Sequence, residues 1–145
     1  YPGRFERAIA AVKAEEFDLV LHGGDMTESG LSDEIDDFAT LARGLKRRPL
    51  TVPGNHDVGG KVHPEQKSPV DAARVAAHET RYGRSWWSRT IHKVRVVGIN
   101  SPILGSGLDA EARQWRFLER ELSRADAPPT VLLTHFPLFL KDPDE

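Results

Sequence analysis

Three short stretches hold the residues best equipped for chemistry: Gly24-Asp25, Gly54-Asn55-His56-Asp57 and His135. Asn55 offers a neutral oxygen, His56 and His135 offer ring nitrogens, and the two aspartates offer charged acceptors. The chain contains no cysteine, so a metal here must be held by oxygen and imidazole, a donor set suited to Mn, Fe or Zn. A carboxylate such as Asp25 can bridge two cations, with Asn55 and His135 completing the shell of one. Two cations about 3.5–4 Å apart can clamp a phosphate and activate a water for in-line attack. A leaving alkoxide then needs a proton. His56, followed in sequence by Asp57 as an acceptor for its ring, has the composition for that task.

These residues must be carried on elements that stop abruptly. The apolar run Leu50-Thr51-Val52 meets Pro53-Gly54, which fixes one φ and frees the next. Phe17-Asp18-Leu19-Val20-Leu21 reads as a buried strand ending at His22-Gly23-Gly24-Asp25, and 130–134 reads as another, ending at His135-Phe136-Pro137. Helical periodicity predicts helices over 4–15, with Phe5, Ala8, Ile9 and Val12 inward, and over 32–46, capped by Ser32. A third is expected from a Ser68-Pro69 start to Tyr82, and a fourth from Asp109, with Ala112, Trp115, Leu118 and Leu122 along one face. Residues 85–91 and 93–100 read as paired strands turning near His92 and Lys93. Residues 58–68 and 101–107 read as loops. Alternating helices and strands indicate an α/β layered fold, whose strand ends gather on one edge. Asp25, Asn55, His56 and His135 are thus expected in one pocket.

At 145 residues, 39% hydrophobic and 29% charged, the chain suits one globular domain with a real core. A net charge of −2 gives no global pull toward nucleic acid. No apolar run approaches the roughly 20 residues that cross a bilayer, so no membrane partner is expected. The chain opens at Tyr1 without a signal-peptide pattern. The cytoplasm is the compartment expected.

Gly24-Asp25, Gly54-Asn55-His56-Asp57 and His135, in that order, resemble the middle three motifs of the calcineurin-like metallophosphoesterases. The stretch from Asn100-Ser101 through Gln114-Trp115 and Leu118-Glu119 to His135-Phe136-Pro137-Leu138-Phe139 is similar to the subgroup containing calcineurin-like phosphoesterase domain-containing protein 1. The resemblance implies a four-layer α/β/β/α sandwich of two mixed sheets. It implies a dinuclear centre of divalent or trivalent Mn, Fe or Zn, with Asp25 bridging both ions and Asn55 and His135 on the second. It further implies that Asn55 and His56 contact a phosphate-ester substrate, a small molecule or a phosphoprotein, and that His56, partnered by Asp57, assists the leaving group. The family pattern also includes Asp-x-His before these motifs and Gly-His-x-His after them. Neither occurs here, so residues 1–145 are expected to be the central part of a single domain.

Other candidates carry less. His22, three residues before Asp25, is expected to be a packed strand histidine, and His63, His78 and His92 to be loop, helix and turn residues. Arg81, Arg84, Arg89, Lys93 and Arg95 among Tyr82, Trp86 and Trp87 superficially suggest a nucleic-acid surface, but strand alternation explains them as one packed and one solvated face. Trp115 and Phe117 are expected to pack. The alternative to an enzyme that hydrolyses phosphate monoesters or diesters is a catalytically silent scaffold of the same fold, serving protein–protein interaction. Such a scaffold has no chemical need for Asn55, His56 and His135 together.

Overall fold

A computed structural model describes residues 2–60 and 69–138. In chain order the elements are α1 (Pro2–Lys13), β1 (Leu21–His22), α2 (Ser32–Ala42), β2 (Leu50–Thr51), α3 (Asn55–Val58), α4 (Ala72–Tyr82), β3 (Trp87–Ile91), β4 (Val94–Gly98), a 3₁₀ turn (Ser101–Ile103), α5 (Asp109–Leu122) and β5 (Thr130–Leu133). They form two sheets: β1 and β2 pair in parallel, and β3-β4-β5 make a mixed sheet in that order. This is the expected α/β architecture. The first sheet is short, its ladder extended by Leu50 N–H to the Val20 carbonyl and Val52 N–H to the His22 carbonyl.

β3 and β4 form a hairpin that turns at His92 and Lys93, both at positive φ (46° and 68°). Two left-handed residues match the right-handed twist of the strands they join. β4 then pairs in parallel with β5, reached through α5. The expected solvated face of this hairpin is absent from most of β4, where residues 95–98 are all buried. Arg95 is one of them. Its Nη1 donates to the Glu121 carbonyl at 2.5 Å and its Nε to the Thr130 hydroxyl at 3.0 Å. A buried cation is thereby placed at the C-terminal end of α5, where helix carbonyls lack intrahelical donors.

The core joins Val58, Val75, Trp86, Val97, Ile99, Ile103, Ala110, Phe117 and Leu118. α5 faces it with Ala110, Gln114, Phe117 and Leu118, at i, i+4, i+7 and i+8. This differs from the expected face: Trp115 and Leu122 point outward, 49% and 55% exposed. The cause is Gln114. Its amide accepts from Asn100 N–H at 2.8 Å and donates to the Asn100 carbonyl at 3.1 Å. A polar side chain that completes buried backbone bonds occupies a core position that apolar periodicity assigns elsewhere.

Helix ends also differ from expectation. α2 is capped at Leu31, with the Glu34 carboxylate reaching back to the N–H groups of Ser29 and Leu31, both at 3.0 Å. It ends at Ala42 because Gly44 and Leu45 close tighter i→i+3 bonds. Asp71 caps α4 through the Arg74 N–H at 2.8 Å. The expected cap Ser68 and residues 61–67 of the expected loop, His63 among them, lie outside the described residues. Among the described residues no helix is long and apolar enough to cross a membrane.

Candidate metal centre

Each candidate side chain sits shortly past a strand. β1 runs into Gly23-Gly24-Asp25, β2 into Pro53-Gly54 and α3, and β5 into Thr134-His135. Parallel pairing of β1 with β2 sets the first two ends side by side. The gap between segments is narrow at Gly24, whose φ is +101°. A Cβ there would lie 2.6 Å from Gly54 N and 2.8 Å from His135 Nδ1. Only a residue without a side chain lets the three segments meet. Asp25 itself adopts φ +56°, a left-handed conformation that few non-glycine residues take.

Asp25, Asn55 and His135 come together as expected. His135 Nε2 lies 3.0 Å from Asn55 Oδ1 and 3.5 Å from Asp25 Oδ1. His135 Nδ1 is 2.8 Å from the Gly23 carbonyl. A carbonyl only accepts, so Nδ1 carries the proton and a neutral ring turns the lone pair of Nε2 toward the two oxygens. The 3.0 Å contact between His135 Nε2 and the Asn55 amide is satisfied either by a turned amide donating its NH₂ or by a cation standing between nitrogen and oxygen. Ligands held at about 2.0–2.2 Å from one cation lie about 3.0–3.5 Å from each other, and both distances from His135 Nε2 fall in that range. Among the described residues no three His, Cys, Asp or Glu side chains converge. The Asn55 amide is what makes a third donor.

His56 stands on α3 beside this group. Its backbone N–H donates to Asp25 Oδ1 at 3.1 Å, and its Nδ1 donates to the Glu28 carbonyl at 2.6 Å. The Glu28 carboxylate is 4.0 Å from the same nitrogen. The bond to Glu28 holds the imidazole pKa above its ordinary value, with the negative charges of Asp25, Glu28 and Asp57 acting in the same direction against partial burial. The Asp57 carboxylate acts on the ring through its charge and makes its hydrogen bonds elsewhere. This group, on a residue 4% exposed, accepts Thr27 N–H at 2.9 Å, the Thr27 hydroxyl at 2.8 Å and Gly54 N–H at 2.8 Å. Asp57 caps α3 and ties the Asp25–Thr27 loop to it, while Glu28 orients the ring.

The other described histidines make different contacts. His22 packs against the rings of Phe5 and Phe38 and accepts the Gly24 N–H at 3.3 Å; burial lowers its pKa. His78 is buried against Tyr82, and His92 sits in the exposed hairpin turn 3.3 Å from Asp18. Sequence reasoning missed Thr27, Glu28 and Arg74. The first two adjoin Asp25 and were within reach of it, but Glu28 acts through its backbone, which residue type does not reveal. Arg74 donates from Nη2 to the carbonyls of Ser29 and His56 at 2.7 and 3.0 Å; nothing in a basic helix residue signals that contact.

The chain is similar in sequence to known proteins. A protein of Arcobacter nitrofigilis described as probable glycerophosphodiester phosphodiesterase GpdQ is 26% identical over 131 residues. That match covers 83% of this chain and 42% of the relative, so the chain spans less than half the length of the protein it resembles. The profile of the calcineurin-like phosphoesterases matches residues 2–145. With the profile covering residues 2–145, and with Gly24-Asp25, Gly54-Asn55-His56-Asp57 and His135 meeting where strands of the two sheets end, the chain belongs to the calcineurin-like phosphoesterase family.

Proposed function

We propose that this chain carries central catalytic residues of a metal-dependent hydrolase of phosphate esters, forming the middle of a larger metallophosphoesterase domain. The observation that carries the reading is the convergence of Asp25, Asn55 and His135 on one point, with His56 beside them. A divalent cation held by these three would supply Lewis-acid activation of phosphate and water. The dinuclear form requires further ligands, with Asp25 as the shared carboxylate and Mn, Fe or Zn as fitting ions.

The chain's own groups then have distinct tasks. Asp25 is fixed by the His56 N–H, and His135 is fixed by the Gly23 carbonyl, so both donors are oriented before anything binds. Asn55, beside His135, and His56, on the other side of Asp25, would each contact the phosphate. His56, with its cation favoured by Glu28, enters the reaction as the acid that protonates the leaving oxygen. A phosphodiester is the first substrate class to test, since the Arcobacter relative is described as acting on glycerophosphodiesters. Phosphomonoesters are the second, on the sequence similarity spanning Asn100 to Phe139. A silent scaffold would leave the orientation of His56 without purpose.

The test is His56→Ala in the intact protein. Metal content should stay unchanged, and kcat should fall about 10²–10⁴-fold on esters with poor leaving groups. The loss should shrink on nitrophenyl esters, whose leaving group needs little protonation. Full kcat on a poor leaving group would sink the assignment.

A further inference from the structure

We infer that Arg74 is a positioning residue for His56, resting on the acid role proposed above. The Glu28 carbonyl that receives the His56 Nδ1 proton belongs to the loop between β1 and α2, whereas the ring itself rides on α3. Transfer of a proton to a leaving oxygen depends on the register between those two segments. Arg74, in the first turn of α4, reaches both. Its Nη2 donates to the Ser29 carbonyl at 2.7 Å and to the His56 carbonyl at 3.0 Å. One nitrogen thus joins the backbone next to the ring's partner to the backbone of the ring's own residue. The Arg74 N–H is in turn fixed by Asp71 at 2.8 Å, so the clamp is anchored to a helix start.

The surroundings are shaped for this guanidinium. Gly30, at φ +71°, lies against it, and a Cβ there would come 3.1 Å from Arg74 Cζ and 2.9 Å from the Asp57 carbonyl oxygen. Gly30 N–H donates to the Thr27 hydroxyl at 3.1 Å, and that hydroxyl donates to Asp57 at 2.8 Å. Besides the direct bonds of His56 to Asp25 and Glu28, two ties therefore join the loop to α3. The Asp57–Thr27 bonds are buried and hold the fold, while the Arg74 bonds lie beside the imidazole and set its angle. Removing Arg74 leaves the first tie in place, so the loop stays attached but the Glu28 carbonyl is freed to shift against the ring. A misplacement on the order of 1 Å at a reacting group can cost about 10²-fold in rate.

The experiment uses the intact protein with Arg74→Met, Arg74→Lys, His56→Ala and the Arg74→Met/His56→Ala pair, assayed on alkyl and nitrophenyl phosphate esters. Arg74→Met should lower kcat by roughly 10–10²-fold on alkyl esters and by much less on nitrophenyl esters, with KM and metal content within about twofold. Arg74→Lys, which keeps a cation and a donor, should restore part of the loss. In the His56→Ala background, Arg74→Met should cost almost nothing. An equal loss on both ester classes, or an undiminished loss without His56, would show an effect unrelated to the imidazole and overturn the inference. If the Met variant does not fold, the Lys variant decides by the same leaving-group comparison. A leaving-group-dependent loss in His56→Ala with wild-type rates in both Arg74 variants refutes the positioning role alone. A His56→Ala enzyme without that dependence refutes the acid role, and the positioning role with it.

Discussion

Asp57→Asn separates a structural carboxylate from a catalytic one. In the fold, Asp57 Oδ1 receives both the N–H and the hydroxyl of Thr27, and Oδ2 receives the Gly54 N–H. Asparagine retains one carbonyl, which can keep the Thr27 pair, but turns an amide NH₂ toward Gly54 N–H. One charge-assisted bond is lost and two donors confront each other at a site only 4% exposed. At about 1.5–3 kcal/mol for a bond to a charged group and about 1–3 kcal/mol for an unsatisfied buried donor, partial relaxation leaves a cost of about 2–4 kcal/mol. For a chain of this size that lowers Tm by roughly 5–15 °C. Denaturant unfolding of the intact protein, with Thr27→Val and the double variant, is the assay. The pair should couple by more than about 0.5 kcal/mol, since Thr27→Val removes one of the same bonds. Wild-type stability in Asp57→Asn, together with an altered pH–rate profile, would show that Asp57 serves the imidazole after all and refute this account.

Gly24→Ala should disrupt the meeting of the three segments, because its Cβ would fall 2.6 Å from Gly54 N and 2.8 Å from His135 Nδ1 at φ +101°. We expect a stability loss on the order of 1–3 kcal/mol by thermal unfolding, with weakened metal binding in the folded fraction. His78, 2% exposed, has its pKa lowered by burial against the raising influence of Asp57 and Glu79. Its folded ring stays neutral while the unfolded ring takes a proton near the usual value of about 6.5. Its contribution is therefore intact above about pH 6.5 and is lost as pH falls toward the folded pKa. His78→Leu should flatten the decline in unfolding free energy between pH 7.5 and 5.5, and an unchanged slope would contradict the assignment.

Much of the site was legible because its chemistry lies in residue types at strand ends. Val52-Pro53-Gly54 announces an abrupt stop, and Asn55-His56 directly after it are polar and half-buried at the end of β2. Glycine before Asp25 marks the same device. What could not be read are roles carried by the backbone or by tertiary geometry. Adjacency of His56 and Asp57 suggested a pair, yet neighbours on one helix point in different directions, and Asp57 is drawn to the free N–H groups at the start of α3. The Glu28 carbonyl is chemically identical to every other carbonyl in the chain. In the fold, the hairpin at His92-Lys93 and the alternation of helix and strand followed from local chemistry. The face of α5 did not, because Gln114 is buried for its two bonds to Asn100 rather than for its hydropathy. Arg95 defeats strand alternation for the same reason.

In the proposed metal centre Asp25, Asn55 and His135 share one cation. Mn titration of the intact protein, followed by calorimetry or by the loss of free-ion paramagnetic signal, tests it most directly when wild type is compared with Asp25→Ala, His135→Ala and His56→Ala. Binding should be at least tenfold weaker in the first two variants and of wild-type affinity in the third. Unchanged Mn affinity in a folded His135→Ala protein, or a loss in His56→Ala as large as in Asp25→Ala, would contradict it.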